Sequence, residues 1–375
     1  MVRPTLATVS LDAIQSNVRA VHRVLELESR GRKTPGIIAV LKANAYGHGA
    51  ARVGLAMEAA GASMLACADI EEGITLREAG VTMPILVFGA LSVSDLGGIF
   101  EHGLTPTVSS PGAAIALSAA AAGRGVRLGC HLKIDTGMNR LGFRDDNLGR
   151  SMPGVLHDPH LRVDAVYTHF ATADMPESPF MDDQRIRFDA ALDVLASLGW
   201  RGGRAHAANS AALLRDSRTW RDWVRPGLLL YGIVPPPLAA GNLSLRPALS
   251  LTSRIVAVKG VRPGEGTGYG LRWTATDPRS IAIVPAGYAD GLDTRLANRG
   301  SVLVRGERRQ IVGSVCMDMI MIDVTGTDVS PGDEVTLIGR QGDEEITARE
   351  VAAQIRAIPW EVVCRLGARI ERRYL

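Results

Sequence analysis

The chain has 375 residues, 46% of them hydrophobic and 22% charged, with a formal net charge of +3. This is ordinary globular usage, long enough for one large domain plus a smaller one, and it offers no charge excess to attract nucleic acid. The longest apolar stretch, around Ala113 to Ala122, is too short and alanine-rich to span a bilayer, and the first residues lack a basic-then-apolar signal pattern, so the expectation is a cytoplasmic protein with no membrane partner.

In chain order, short β-rich runs alternate with helical patterns from Leu11 to about Tyr231. Strands are expected at Ile37 to Leu41, Met64 to Cys67, Ile85 to Phe88, Thr105 to Val108, Val126 to Ile134, Val163 to Tyr167 and Trp223 to Leu229. Helices are expected at Gly49 to Ala60, Ile70 to Ala79, Pro111 to Ala122 and Asp182 to Leu198, with Asp69 and Ser110 as N-caps. Repeated strand-helix units imply parallel strands with right-handed crossovers. Periodicity alone leaves a closed barrel and an open doubly wound sheet equally open.

The prolines of Val234 to Asn242 break this rhythm, since they cannot donate ladder hydrogen bonds, and a domain boundary is expected near 240. Beyond it the β-rich runs Leu249 to Val258, Ile281 to Val284, Ser301 to Val304, Gln310 to Val315, Ile320 to Val324 and Glu334 to Ile338, with one helix from Thr347 to Ile355, read as a β domain. Near the end Arg365, Arg369, Arg372 and Arg373 alternate with apolar residues, which reads as a solvated face. The four cysteines are widely spaced and mostly set in apolar runs, the pattern of reduced structural thiols.

The residue that carries most chemistry is Lys42. An apolar run, Ile37 to Leu41, delivers its amine into a glycine-punctuated turn. Apolar walls favour a neutral amine, which is a nucleophile toward an aldehyde such as that of pyridoxal phosphate. The plain alternative is a lysine at a strand end that reaches into water. The glycine-rich run 264–270 superficially resembles a nucleotide loop, but it lacks the GxGxxG spacing and a strand-turn-helix setting, so it reads as a flexible loop presenting Tyr269.

The segment AVLKANAYGHG (39–49) resembles the pyridoxal-phosphate attachment signature of alanine racemases. HLKIDTGMNRLG (131–142), THFATAD (168–174), HAANS (206–210) and VRPGLLLYG (224–232) resemble further blocks of that family in the same order. GYG (268–270), GYADG (287–291) and CMD (316–318) extend the likeness over nearly the whole chain.

The resemblance implies an α/β fold: an N-terminal (β/α)8 barrel over 11–240 that binds the cofactor, then a mainly-β domain formed by 241–375 together with strand 5–10. It implies a homodimer with shared active sites, and a racemase that makes a D-amino acid as a cell-wall precursor. Lys42 is then the cofactor-bearing lysine and one catalytic base, and Tyr269 the second, contributed to the partner subunit's barrel. Tyr46, His169, Asn209, Ser210, Arg225, Gly227, Leu228 and Trp360 are implied around the cofactor, with Arg225 facing the pyridine nitrogen and, as an arginine, keeping its own proton. Arg140, Met317 and Tyr288 are implied at the substrate. Lys133 is implied to orient Arg140 through carbamylation, although it could instead point to Asp135 or solvent, and His206 to support Arg225. The histidines show no metal-ligand spacing, and no metal is expected.

Three departures touch the substrate corridor. Trp360 stands where the family usually has tyrosine, Ser314 where it usually has arginine, and Leu292 to Arg295 replaces a common Tyr-Pro-Arg continuation. Alanine is the leading substrate. Serine or another small amino acid, a decarboxylase on the same plan, and a non-catalytic cofactor carrier are the alternatives.

Overall fold

In a computed structural model that describes residues 4–29, 31, 33–91 and 93–375, the chain divides into two units. One comprises Met1–Ala13, Tyr46–Gly49 and Arg246–Leu375, the other Ile14–Ala45 and Ala50–Leu245.

The larger unit is built on eight parallel strands. Gly36–Val40, Met64–Cys67, Ile85–Val87, Thr105–Val108, Leu128–Asp135, Leu161–Tyr167, Arg204–Asn209 and Trp223–Arg225 pair in that order. Trp223 and Val224 then pair with Gly36 and Ile37, which closes the ring and decides for the barrel over the open sheet. Strands covered on both faces favour near-continuous apolar runs. Met64–Cys67 and Ile85–Val87 meet that demand and are buried throughout.

Asp69 and Ser110 cap the helices Ile70–Glu78 and Pro111–Ala122, accepting from the amides of Glu72 and Ala113. Among the elements that escaped sequence reading are the helix Leu11–Ser29 and the strand Arg204–Asn209, whose sequence RAHAAN carries no β-branched or aromatic signal. The last barrel strand ends at Arg225, short of the expected Leu229, because Pro226 cannot donate to a ladder; a 3-10 turn, Leu228–Tyr231, follows.

In the smaller unit, one path of strands runs from Ala257–Val261 through Arg279–Val284, Ile320–Asp323, Glu307–Val312, Ser301–Val304 and Glu334–Gln341 to Leu249–Arg254. Leu6–Val9 continues it, antiparallel to Leu249–Arg254 and parallel to Glu371–Tyr374. The expected single strand from Leu249 to Val258 is therefore two strands that join different neighbours. Val261, Ala275, Ile281, Val312 and Met321 form a buried cluster of this unit.

The C-terminal arginines are not a simple solvated face. Arg369 binds the fully buried carboxylate of Asp290 through Nε at 2.8 Å, and Arg372 donates to the carbonyls of Gly47, Leu366 and Ile370. Their apolar neighbours turn inward as the chain wraps back, and the guanidinium heads serve as clamps.

Candidate active site

Lys42 is the first residue past the strand Gly36–Val40 and its companion Leu41, at the C-terminal end of the barrel strand. That end is where the active-site groups of this architecture gather. The apolar residues of the run are buried, yet Lys42 itself is exposed in the single chain. The apolar run builds the strand; it does not wall in the amine.

Ala43, Asn44, Ala45 and Tyr46 then take φ between 51° and 55°, one turn of left-handed helix without a glycine. Each such residue costs about 1–2 kcal/mol, so the turn persists only because its surroundings fix it. Asn44 does much of this: its Oδ1 accepts from the Ala50 amide at 2.7 Å, while its own amide donates to Glu72. Gly47 follows in the smaller unit, where an added β-carbon would lie 2.1 Å from the carbonyl oxygen of Val363, in the helix Pro359–Cys364 that carries Trp360.

Arg225 organises the barrel interior. Its guanidinium is buried and bonds only neutral groups: NH1 meets His206 Nδ1 at 2.8 Å, and NH2 donates to the Thr168 and Ala207 carbonyls at 2.6 and 2.9 Å. His169 Nδ1 lies 3.3 Å from NH2. Burial lowers Arg225 to about 10, below the value above 12 expected from sequence but far enough above neutrality to keep its charge. Burial, followed by the charge of Arg225, holds both His206 and His169 neutral.

Lys133 is buried on the strand Leu128–Asp135, with its Nζ 5.7 Å above the Tyr167 ring, so the option of a solvent-facing amine is excluded. Burial, then the charges of Arg140, Arg225 and Lys42, push it down to about 8. Arg140 itself is exposed on the following turn. Asp135 is the one carboxylate that acts on Lys133 against these four causes. A cationic excess of this kind suits an anionic occupant, as a phosphate or carboxylate would be.

Asn209 caps the helix Ser210–Arg215 by accepting from the Ala212 amide. The Ser210 hydroxyl accepts from the Gly227 amide at 2.9 Å. The hydroxyl still has its own proton to donate. Burial pushes the Cys130 thiol up to about 12, which removes it as a nucleophile. Among the described residues no three His, Cys, Asp or Glu side chains cluster as metal ligands.

The smaller unit gathers Tyr269, Tyr288, Met317 and Ser314 along one open groove of about 970 Å³. Gly266–Thr267 and Trp273–Thr274 form a short antiparallel hairpin, with Gly268 and Gly270 at φ 73° and 72° making its turn, and Tyr269 at its tip is 79% exposed. The amides of Tyr288 and Ala289 donate to the carbonyls of Cys316 and Met317, locking two turns together. Arg369 reinforces the lock, since it also reaches Asp318 at 2.8 Å and the Met317 carbonyl at 3.3 Å. Sequence reading gave no role to Arg369, Thr168 and His131, whose partners, the Asp290 carboxylate, the Arg225 guanidinium and the His206 ring, are set by the fold.

The chain thus has a closed barrel with a lysine at one strand end and a buried arginine facing only neutral acceptors, and a β domain that presents a tyrosine. Models of the alanine racemase N-terminal domain and C-terminal domain match residues 9–235 and 248–374. The alanine racemase of Symbiobacterium thermophilum is 42% identical over 99% of this chain and 97% of its own length, and that of Halothermothrix orenii 39% over 99% and 97%. The crystal structure of alanine racemase from Streptomyces lavendulae covers 100% of this chain and 98% of its own with a TM-score of 0.93 at 34% identity. That of Bacillus anthracis with bound L-Ala-P covers 100% and 96%, with a TM-score of 0.91 at 36% identity. The chain belongs to the alanine racemase family, whose members depend on pyridoxal phosphate. No helix of the described residues is long and apolar enough to cross a membrane.

Proposed function

We propose that this chain interconverts L- and D-alanine in the cytoplasm as a homodimer, with pyridoxal 5'-phosphate carried on Lys42. The observation that carries this reading is the gathering of Lys42, Lys133, Arg140 and buried Arg225 around one region of the barrel with little opposing charge. The donor set fits the cofactor: Tyr46, Ser210, Asn209 and Leu228 would serve its phosphate, Trp360 would flank it, and His169 would lie against its ring. Bound there, the cofactor supplies an electron sink for the pair left when the substrate loses its α-proton.

Racemisation takes a proton from one face of the α-carbon and returns one to the other, so two groups must act from opposite sides. Lys42 is the base on one face. Tyr269, from the partner subunit's β domain, is the group on the other. Arg140 pairs with the substrate carboxylate, Met317 and Tyr288 bound the substrate, and Lys133 orients Arg140, in carbamylated form. Arg225, which keeps its proton at neutral pH, would face the pyridine nitrogen as a donor and would leave it without a proton of its own. His206 steadies Arg225 by accepting from NH1.

Serine is the second reading, favoured by Trp360, Ser314 and Thr294 in the corridor. The test is formation of the opposite enantiomer by cofactor-loaded protein from each common L-amino acid. Alanine is expected to give the highest kcat/KM. Turnover of none of them would overturn the reading, and a higher value for serine would reassign the substrate.

A further inference from the structure

The chain of groups behind Arg225 does not stop at His206. A guanidinium only donates, so the nitrogen that meets Arg225 NH1, His206 Nδ1, is the lone-pair nitrogen of its ring. His206 is neutral, because burial and the Arg225 charge oppose a second proton. Its single proton is therefore on Nε2. That nitrogen lies 3.0 Å from His131 Nδ1, which must accept, leaving the proton of His131 on its own Nε2. Burial keeps His131 neutral as well, near a value of about 4.

The rings have little freedom to exchange these roles. Tyr167 stacks on His206 at 4.7 Å with 8° between planes. Trp223 stacks on His131 at 5.8 Å and 18°, and meets His206 edge-on at 5.9 Å. Trp223 stands opposite His206 in the sheet and two residues before Arg225 on the same strand. The donors thus run in one direction, Arg225 to His206 to His131, through the barrel interior.

We propose that His131 is a positioning residue: as the terminal acceptor of this chain it fixes the His206 ring and, through it, the guanidinium of Arg225. This rests on the reading of Arg225 as the partner of the cofactor ring. A histidine that merely fills the core would contribute its bulk and nothing more.

Two substitutions separate these roles. His131→Leu keeps apolar bulk and removes the acceptor, whereas His131→Asn places a side-chain oxygen near the position of Nδ1. The first readout uses cofactor-free protein labelled with nitrogen-15 histidine, so it is independent of the racemase reading. The expected spectrum shows His206 as the Nε2–H form, with a scalar coupling across the hydrogen bond to His131 Nδ1. His206 carrying its proton on Nδ1 would overturn the proposal. The second readout is cofactor affinity with kcat and KM. His131→Leu is expected to weaken pyridoxal phosphate binding and lower kcat by about 10–100-fold, the range for loss of a group that orients a liganding residue, with little change in KM. His131→Asn should recover to within about threefold of the parent. Wild-type affinity and kcat in a folded His131→Leu protein would reduce His131 to core filling. Should the leucine variant not fold, the asparagine variant decides: a loss as deep as 10-fold in a folded protein overturns the proposal, and recovery with the coupling present in the parent supports it.

Discussion

The hydroxyl of Ser314 donates to the backbone oxygen of Tyr269 at 2.7 Å, bracing the hairpin tip that presents the proposed second base. Ser314 is also one of the corridor departures, so the smaller side chain has a structural task of its own. Ser314→Ala removes one hydrogen bond at an exposed site, and a few-fold loss of kcat with unchanged thermal stability is expected. An unaltered kcat would show that the hairpin holds Tyr269 without this brace.

Trp360→Tyr reinstates the phenol usual in the family. Changes of this kind in a pocket shift discrimination by roughly 1–3 kcal/mol, so the ratio of kcat/KM for alanine to that for serine should move by about one or two decades while turnover survives. If the ratio stays fixed, Trp360 does not line the substrate pocket.

Gly287 packs against the turn that carries Met317. An added β-carbon would lie 2.3 Å from the Met317 carbonyl oxygen and 2.4 Å from that of Cys316. Gly287→Ala should therefore push the two turns apart, destabilise the protein by about 1–3 kcal/mol and raise KM for the amino acid. Urea unfolding together with initial rates checks both effects, and a neutral result in each would contradict the close approach.

Three histidines of the barrel, buried His131 and His206 and half-buried His169, make a statement about acid. In the unfolded chain each takes a proton near pH 6.5, while the folded chain resists until a lower pH, about 4 for His131. Between those limits the unfolded chain binds more protons, so stability is full above about 6.5 and is lost as pH falls. Urea midpoints from pH 7 to 4.5 should show this loss. His131→Asn should lessen the slope by up to about 1.4 kcal/mol per pH unit. Identical slopes in the two proteins would mean that His131 takes up its proton as readily in the folded chain as in the unfolded one.

The shared site has its own test. Chains carrying Lys42→Ala and chains carrying Tyr269→Phe, each of low activity, should regain part of it on mixing, because some hybrid dimers hold one intact site. Absence of recovery after verified subunit exchange would confine each site to one subunit.

Much of this was legible in the residues themselves. Asp69 and Ser110 announced their helices through cap chemistry that depends on neighbours a few positions away. Met64–Cys67 was readable to the residue, since a strand buried on both faces leaves an unbroken apolar run. Arg204–Asn209 was not, because a barrel interior filled by His206 and alanines does not need the usual strand residues. At the site, Lys42, Arg225 and Tyr269 were legible through their motifs. The left-handed turn of Ala43 to Tyr46 was not, because four non-glycine residues with positive φ contradict local preference and depend on Asn44 and its contacts. The clamps of Arg369 and Arg372 were hidden for a similar reason: their partners are Asp290 and backbone carbonyls set by the fold.

The strand Leu6–Val9 lies between Leu249–Arg254 and Glu371–Tyr374, and the Leu11 amide donates to the Leu375 carbonyl at 2.8 Å. On the ribosome this strand emerges early and waits for its first partner until about 240 further residues have been added, on the order of tens of seconds at roughly 5–20 residues per second. The barrel strands other than the closing pair meet their neighbours within a few dozen residues, and the closing pair, Gly36–Val40 with Trp223–Arg225, is complete before Leu249, so the barrel can assemble during that interval. The edge of Leu6–Val9 stays open throughout, and closure of the β domain waits until Glu371–Tyr374 has been made.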